Sequence, residues 1–271
     1  MNLKGIFASA DSATEQEWRR TQTRFGHRCE DVTLEEFLSN TYGKGNFSER
    51  RFKHIADSFL QGAPKKVLEI GAGSGDFSAY CSTLYPQHAY ILSEPSIEYL
   101  KKNMETVASF FKTGQKFEFV QCTAESIPLP EDSIDIVFVK SAVHHFDNPK
   151  KGFAEIHRVL KYGGIVVFFN EPVCLSIPIL SQLQKLFFGT EEKAHGINEN
   201  TYTLGEYFSF APQFKKTYYV EPIYREETER NSAKWNGIKK LTWRLISAND
   251  FLLKQFYIYQ YNIPFTFVFT K

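Results

Sequence analysis

The chain has 271 residues, with 32 Lys and Arg against 31 Asp and Glu, a formal net charge of +1 at neutral pH. The length fits one α/β domain with additions, and the near-balance of charge gives no sign of nucleic acid or a membrane surface as the main partner. Cys29, Cys81, Cys122 and Cys174 are widely spaced without C-x-x-C, as reduced thiols are, and no apolar run approaches a membrane span of about 18 residues, so the expectation is a soluble, cytoplasmic protein without stable membrane insertion.

Residues 1–63 show helical patterns over 14–25, 34–40 and 48–60, which predict a helical N-terminal cap. Tyr42 and Phe47 flank the turn Gly43-Lys44-Gly45, which reads equally as a fold over a ligand and as simple packing. The stretch V-L-E-I-G-A-G-S-G-D-F-S from Val67 to Ser78 then joins a buried-strand pattern to a glycine turn and a helix start. Its third glycine comes one place early for the dinucleotide fingerprint G-x-G-x-x-G, and Glu69 stands two places before the first.

Downstream, strands and helices alternate as in a doubly wound sheet. Strands are expected over 90–93, 117–121, 134–139 and 165–169, and helices over 97–111 and 149–160, the latter closed by Tyr162-Gly163-Gly164. An insertion over about 173–212 reads as a lid: Leu175, Ile179, Leu183, Leu186 and Phe187 form an apolar helical face, and a polar loop follows over 189–200. Strands over 217–224 and 264–270, with a helix over 232–247 between them, complete seven, and the aromatic run Phe256, Tyr257, Tyr259, Tyr261 reads as packing. Ligands of such sheets bind at the carboxyl ends of the strands. That edge carries residues 71–75, Glu94, 123–126, 140–146 and 170–172.

The block E-x-G-x-G-x-G after a strand resembles motif I of the class I S-adenosylmethionine (SAM)-dependent methyltransferases. Four more blocks follow in order: C-T-A-E-S-I-P-L-P (122–130) resembles the G-D-A-x-x-L-P-F loop, E-D-S-I-D-I-V (131–137) the D-x-S-F-D-x-V segment, S-A-V-H-H-F (141–146) the A-L-H-H loop, and E-I-H-R-V-L-K-Y-G-G (155–164) the E-x-x-R-V-L-K-P-G-G exit. The chain is similar to the small-molecule branch that includes ubiquinone and menaquinone methyltransferases.

The resemblance implies a Rossmann-like, seven-stranded, mostly parallel α/β sheet with helices on both faces: a cap over 1–63 and a SAM domain over 64–271 that includes the lid. SAM would lie on Glu69, Gly71, Ala72, Gly73 and Gly75, its ribose on Glu94 beside Pro95, its adenine on Ala124 and either Thr123, which replaces the family's aspartate, or Glu125. Lys140 would border it. His144 and His145 are candidate bases, pocket shaping being the equal alternative, and Glu171 is a further candidate. His195, Glu199 and Tyr202 suit a small-molecule acceptor. His195 and Glu199 alone are too few for a metal, so none is expected. The function expected is methyl transfer to a hydroxyl oxygen, because neither an N/D-P-P-Y/F motif nor a P-C nucleophile is present. A carbon acceptor on a quinone-like ring, or SAM binding without turnover, are the alternatives.

Overall fold

The computed structural model describes residues 5–7, 33–187, 199–261 and 263–271. The expected helix at 14–25, Cys29 and His195 lie outside them. After the short strand β1 (Gly5–Phe7), two cap helices, α1 (Leu34–Tyr42) and α2 (Phe47–Phe59), precede the rest of the sheet. The start of α1 is fixed by a capping box in which Thr33 and Glu36 satisfy each other's backbone N–H groups. Next come β2 (Lys66–Ile70), α3 (Asp76–Leu84), β3 (Ala89–Ser93), α4 (Ile97–Phe111), β4 (Phe117–Gln121) and β5 (Ile134–Lys140). Then α5 (Pro149–Val159), β6 (Leu160–Phe169), α6 (Pro178–Phe187), α7 (Leu204–Ser209), β7 (Lys215–Val220), α8 (Pro222–Ser232), α9 (Gly237–Ser247), α10 (Asp250–Tyr261) and β8 (Phe265–Thr270) complete the chain.

The sheet order is β1-β4-β3-β2-β5-β6-β8-β7, parallel except where β8 runs against β6 and β7. Seven of these strands are the expected ones. The eighth, β1 (Gly5–Phe7), pairs with β4 at the edge, and three residues are too short to leave a periodic signal. Alternate side chains enter opposite cores. Leu68, Val137, Val139, Val166 and Phe168 join one cluster, whereas Val67, Ile136, Phe138, Val167 and Phe169 join the other with Phe52 and Ile55 of α2.

Three local expectations need correction. The strand expected over 217–224 stops at Val220, since Pro222 lacks an N–H for the ladder and instead opens α8. The helix expected over 232–247 begins only at Gly237 (φ +50°), as α9, while Ser232 is the last residue of α8. The turn Tyr162-Gly163-Gly164 does not end α5. It is an outlooped part of β6, where Gly163 has φ +77° and the β5–β6 register slips after Ile134.

The chain leaves β2 toward β3 and β4, then crosses back to β5 and β6, so the strand order reverses between β2 and β5. The loops after β2 and β5 diverge there and leave a crevice. A Cβ on Gly71 would lie 2.7 Å from Ala142 Cβ, so the two loops touch at the base of that crevice.

Candidate functional site

The glycine loop is left-handed at Gly71, Gly73 and Gly75 (φ +65°, +56° and +78°), but the three do different work. Gly75 is a packing position: a Cβ there would sit 2.3 Å from Met104 Sδ and 2.9 Å from Leu92 Cδ2. Gly73 has nothing within 4 Å of a Cβ and its backbone borders open space, as a cradle for a ligand must. Ala72 is buried, its N–H donating to Ser93 O at 3.0 Å.

Two buried carboxylates flank this loop. Glu94 accepts from Gly73 N at 2.9 Å and Ser96 N at 3.4 Å, and burial pushes its carboxyl up to about 7 against those donors. Pro95, also buried, follows it. Glu69 Oε2 accepts from Ser78 N and Oγ, while Oε1 is buried with no hydrogen-bond partner among the described residues. Burial pushes Glu69 up to about 7 despite the nearby Lys140 charge. A third acid, Asp76, follows Gly75 and collects Tyr42 OH (2.5 Å), Lys140 Nζ (2.5 Å) and Ser74 Oγ (2.7 Å). Burial works against its ionisation, yet the Lys140 charge and these donors hold it below the usual carboxylate range.

Tyr42, Asp76 and Lys140 thus lock the end of α1 to the loop. Phe47 does not join them; it packs against Tyr224 of α8. The pairing of Tyr42 with Asp76 was not foreseen, though Asp76 stands directly after the last glycine. In the loop after β4, Glu125 Oε1 accepts from Asn148 N at 3.1 Å, ahead of α5, Ala124 is buried, and Thr123 is half-buried.

β5 and β6 end in two left-handed non-glycine residues, Ser141 (φ +52°) and Asn170 (φ +60°), whose side chains hydrogen-bond each other. Such backbone strain gathers at functional sites. Asn170 Oδ1 also accepts from Arg51 Nη1 at 2.6 Å. Arg51 of α2 is buried in a two-pronged ion pair with Glu221, which accepts from Thr266 Oγ1 as well. No sequence pattern links residues 170 positions apart, and this arginine was not foreseen.

Glu171 follows Asn170 and is fully engaged. Oε1 accepts from Ala142 N (2.7 Å) and Val143 N (3.0 Å), and Oε2 accepts from His144 N (3.3 Å) and the His144 ring at Nδ1 (2.7 Å). One carboxylate therefore holds both the 3₁₀ turn Val143–His145 and the imidazole it presents. With Nδ1–H donating to Glu171, neutral His144 carries its lone pair on Nε2. Glu199 Oε1 lies 3.7 Å from that Nε2, Glu199 Oε2 lies 3.2 Å from His145 Nδ1, and the two rings sit 4.1 Å apart. Burial lowers the affinity of His144 for a proton, but the charge and hydrogen bond of Glu171, with Glu199, outweigh it and raise the pKa above 6.5.

Of the acceptor residues expected from the sequence, Glu199 reaches this centre. Its neighbour Asn200 donates its N–H to His144 O at 3.1 Å. Tyr202 bridges to Val173 through the backbone and packs edge-on against Tyr207 and Phe210, and burial raises its phenol to about 12. His144, His145 and Glu199 hold their ligand-capable atoms within 4.8 Å of one another, a closer grouping than the sequence reading foresaw when it expected no metal.

Residues 68–168 match a family model described as a methyltransferase domain. An uncharacterized methyltransferase, YcgJ of Bacillus subtilis, is 38% identical over 104 residues, covering 38% of this chain and 39% of that one. The ubiquinone/menaquinone biosynthesis C-methyltransferase UbiE of Pasteurella multocida is 30% identical over 123 residues, covering 45% and 44%. The matched stretches span about two-fifths of these relatives' own lengths. Among solved structures, a phosphoethanolamine N-methyltransferase of Haemonchus contortus in complex with S-adenosyl-L-methionine superimposes with a TM-score of 0.59 at 20% identity, covering 97% of this chain and 60% of that one, a likeness of fold. Together with the reversal of strand order and the glycine cradle, these matches show that residues 68–168 carry a methyltransferase domain, on a fold shared with a SAM-dependent methyltransferase.

Proposed function

We propose that this protein transfers a methyl group from SAM to a hydroxyl oxygen of a small-molecule acceptor. The residues present fit the cofactor: an open left-handed glycine, a buried carboxylate at the end of β3, and a second with an unused buried oxygen. Glu94 would take the ribose hydroxyls, since an ionised carboxylate only accepts. One oxygen of Glu125 already accepts from Asn148 N, which favours Thr123 over Glu125 as the adenine contact. Bound there, SAM supplies an electrophilic methyl.

The observation that carries the acceptor reading is the Glu171–His144–Glu199 line. Glu171 fixes the tautomer and leaves the Nε2 lone pair, in a loop at the carboxyl edge of the sheet, to remove a hydroxyl proton. Glu199 then faces the imidazolium and steadies its charge, and His145 pairs with the same carboxylate. Glu171 acts through His144, so it is a positioning residue in this scheme. Alignment of the acceptor contributes more than the base, which is worth about 10² to 10⁴ in rate.

The test measures SAM consumption with hydroxylated, phenolic and quinone-like acceptors, for the native protein and for His144→Ala. Turnover of a hydroxyl compound, lowered by about 10² to 10⁴ in the variant with SAM affinity kept, is expected. Turnover only on a ring carbon would reverse the assignment. Activity should also survive exhaustive chelation, and its loss would turn the His144, His145 and Glu199 grouping into a metal centre.

A further inference from the structure

The helix α9 buries none of its residues. At about 100° per residue, Ile238, Leu241 and Leu245 fall on one stripe, and they are 84%, 58% and 64% exposed. Trp243 and Ile246 are half-buried on the other side, where Trp243 meets Phe256 of α10 with ring centres 5.2 Å apart. Phe251 and Leu252, at the start of α10, are exposed as well, next to Asp250, which pairs with Lys254. A run of exposed apolar side chains this long marks a binding surface.

Charge decides what covers it. Between Arg230 and Asp250 the sequence holds Lys234, Lys239, Lys240 and Arg244 and no carboxylate, although acids and bases nearly cancel over the whole chain. Lys240 and Arg244 are one turn apart along the edge of the stripe. Lys239 Nζ lies 4.7 Å from the Trp235 ring centre, and Lys234, Trp235, Lys239 and Gln260 help line a surface cleft of about 400 Å³. A second copy docked stripe to stripe would oppose the same cations, because such an interface is self-complementary. A narrow apolar stripe bordered by lysines, arginine and tryptophan is instead the make-up of a helix lying in a bilayer interface. No helix among the described residues is long and apolar enough to cross one.

We propose that α9 and the start of α10 dock the protein on an anionic lipid surface, with the apolar stripe entering the boundary between headgroups and acyl chains and the cations meeting lipid phosphates. The docking hairpin is tied to the chain leaving the site: Ser176 N, five residues past Glu171, donates to Gln255 Oε1 of α10 at 2.7 Å. Docking would therefore hold the acceptor side of the crevice close to the bilayer.

The full chain is sedimented with vesicles of phosphatidylcholine alone and of phosphatidylcholine mixed with phosphatidylglycerol. Binding to the mixed vesicles is expected, falling by tenfold or more on phosphatidylcholine alone and weakening as salt screens the surface. Lys240→Glu with Arg244→Glu, and separately Leu241→Ser with Leu245→Ser, should each lower partition by roughly tenfold or more. All four positions are exposed, so SAM affinity by calorimetry should stay at the native value. Failure to bind the mixed vesicles, equal binding to both vesicle types, or undiminished binding by both variants would overturn the proposal. A self-association abolished by Leu241→Ser with Leu245→Ser, without vesicle binding, would overturn it too and assign the stripe to a second copy.

Discussion

Replacing Glu94 by Ala and by Gln separates its two roles, holding Gly73 and receiving the ribose. Hydrogen bonds to a charged group are worth about 1.5 to 3 kcal/mol, so Glu94→Ala should weaken SAM by roughly 10- to 150-fold. Glu94→Gln keeps one oxygen for the Gly73 N–H, 2.9 Å away, and so keeps the loop's shape. If the negative charge receives the ribose, Gln should be nearly as weak as Ala. The pH dependence gives an independent check, because burial places the free carboxyl at about 7. A protonated Glu94 has lost an acceptor, so binding must expel its proton below that pH. SAM affinity should then fall roughly tenfold from pH 8 to pH 6, with close to one proton released at the lower pH and almost none at the higher. Calorimetry in buffers of different ionisation enthalpy reads both quantities. An affinity loss below about 0.5 kcal/mol in the Ala variant, or flat affinity over this range, would refute the ribose assignment.

The glycines should fail differently: Gly73→Val should abolish SAM binding in a folded protein, whereas Gly75→Ala, with its Cβ 2.3 Å from Met104 Sδ, should lower thermal stability by about 1 to 3 kcal/mol. Glu171→Gln should reduce kcat and move the pH–rate profile, which rises as His144 deprotonates, to lower pH, because the carboxylate charge that raises the His144 pKa is gone. An unmoved profile would remove Glu171 from that role. Arg51→Ala leaves Glu221 buried without its cation and should cost about 3 to 5 kcal/mol in urea unfolding.

The elements that were legible are those whose signal is local. The helix Ile97–Phe111 and the strand Phe117–Gln121 follow from periodicity alone, and three of the five motif blocks, the glycine loop, 122–130 and 141–146, fall on the carboxyl edge because they follow strand ends, while 131–137 and 155–164 lead into strands. Periodicity finds an apolar stripe without saying what it faces. Ile179, Leu183 and Leu186 of α6 form the foreseen stripe, yet all three are exposed. The summed charge of +1 likewise hides the cations gathered along α9. Arg51 with Glu221, and Tyr42 with Asp76, were illegible because each pair is made by tertiary folding between residues far apart in the chain.

Arg51 bears on how this protein can be cut. A break between 63 and 64 looks natural in the sequence, since Gly62 and Pro64 stand there before the first motif. A protein trimmed at that point would keep every motif and lose Arg51, stranding Glu221 and Asn170 on strand ends that the trimmed piece still contains. It would also uncover the side of the sheet that Phe52 and Ile55 fill. The helices before the glycine loop are therefore expected to fold with the sheet, and a fragment or graft of this domain that begins ahead of Thr33 should unfold at higher urea than one that begins at 64.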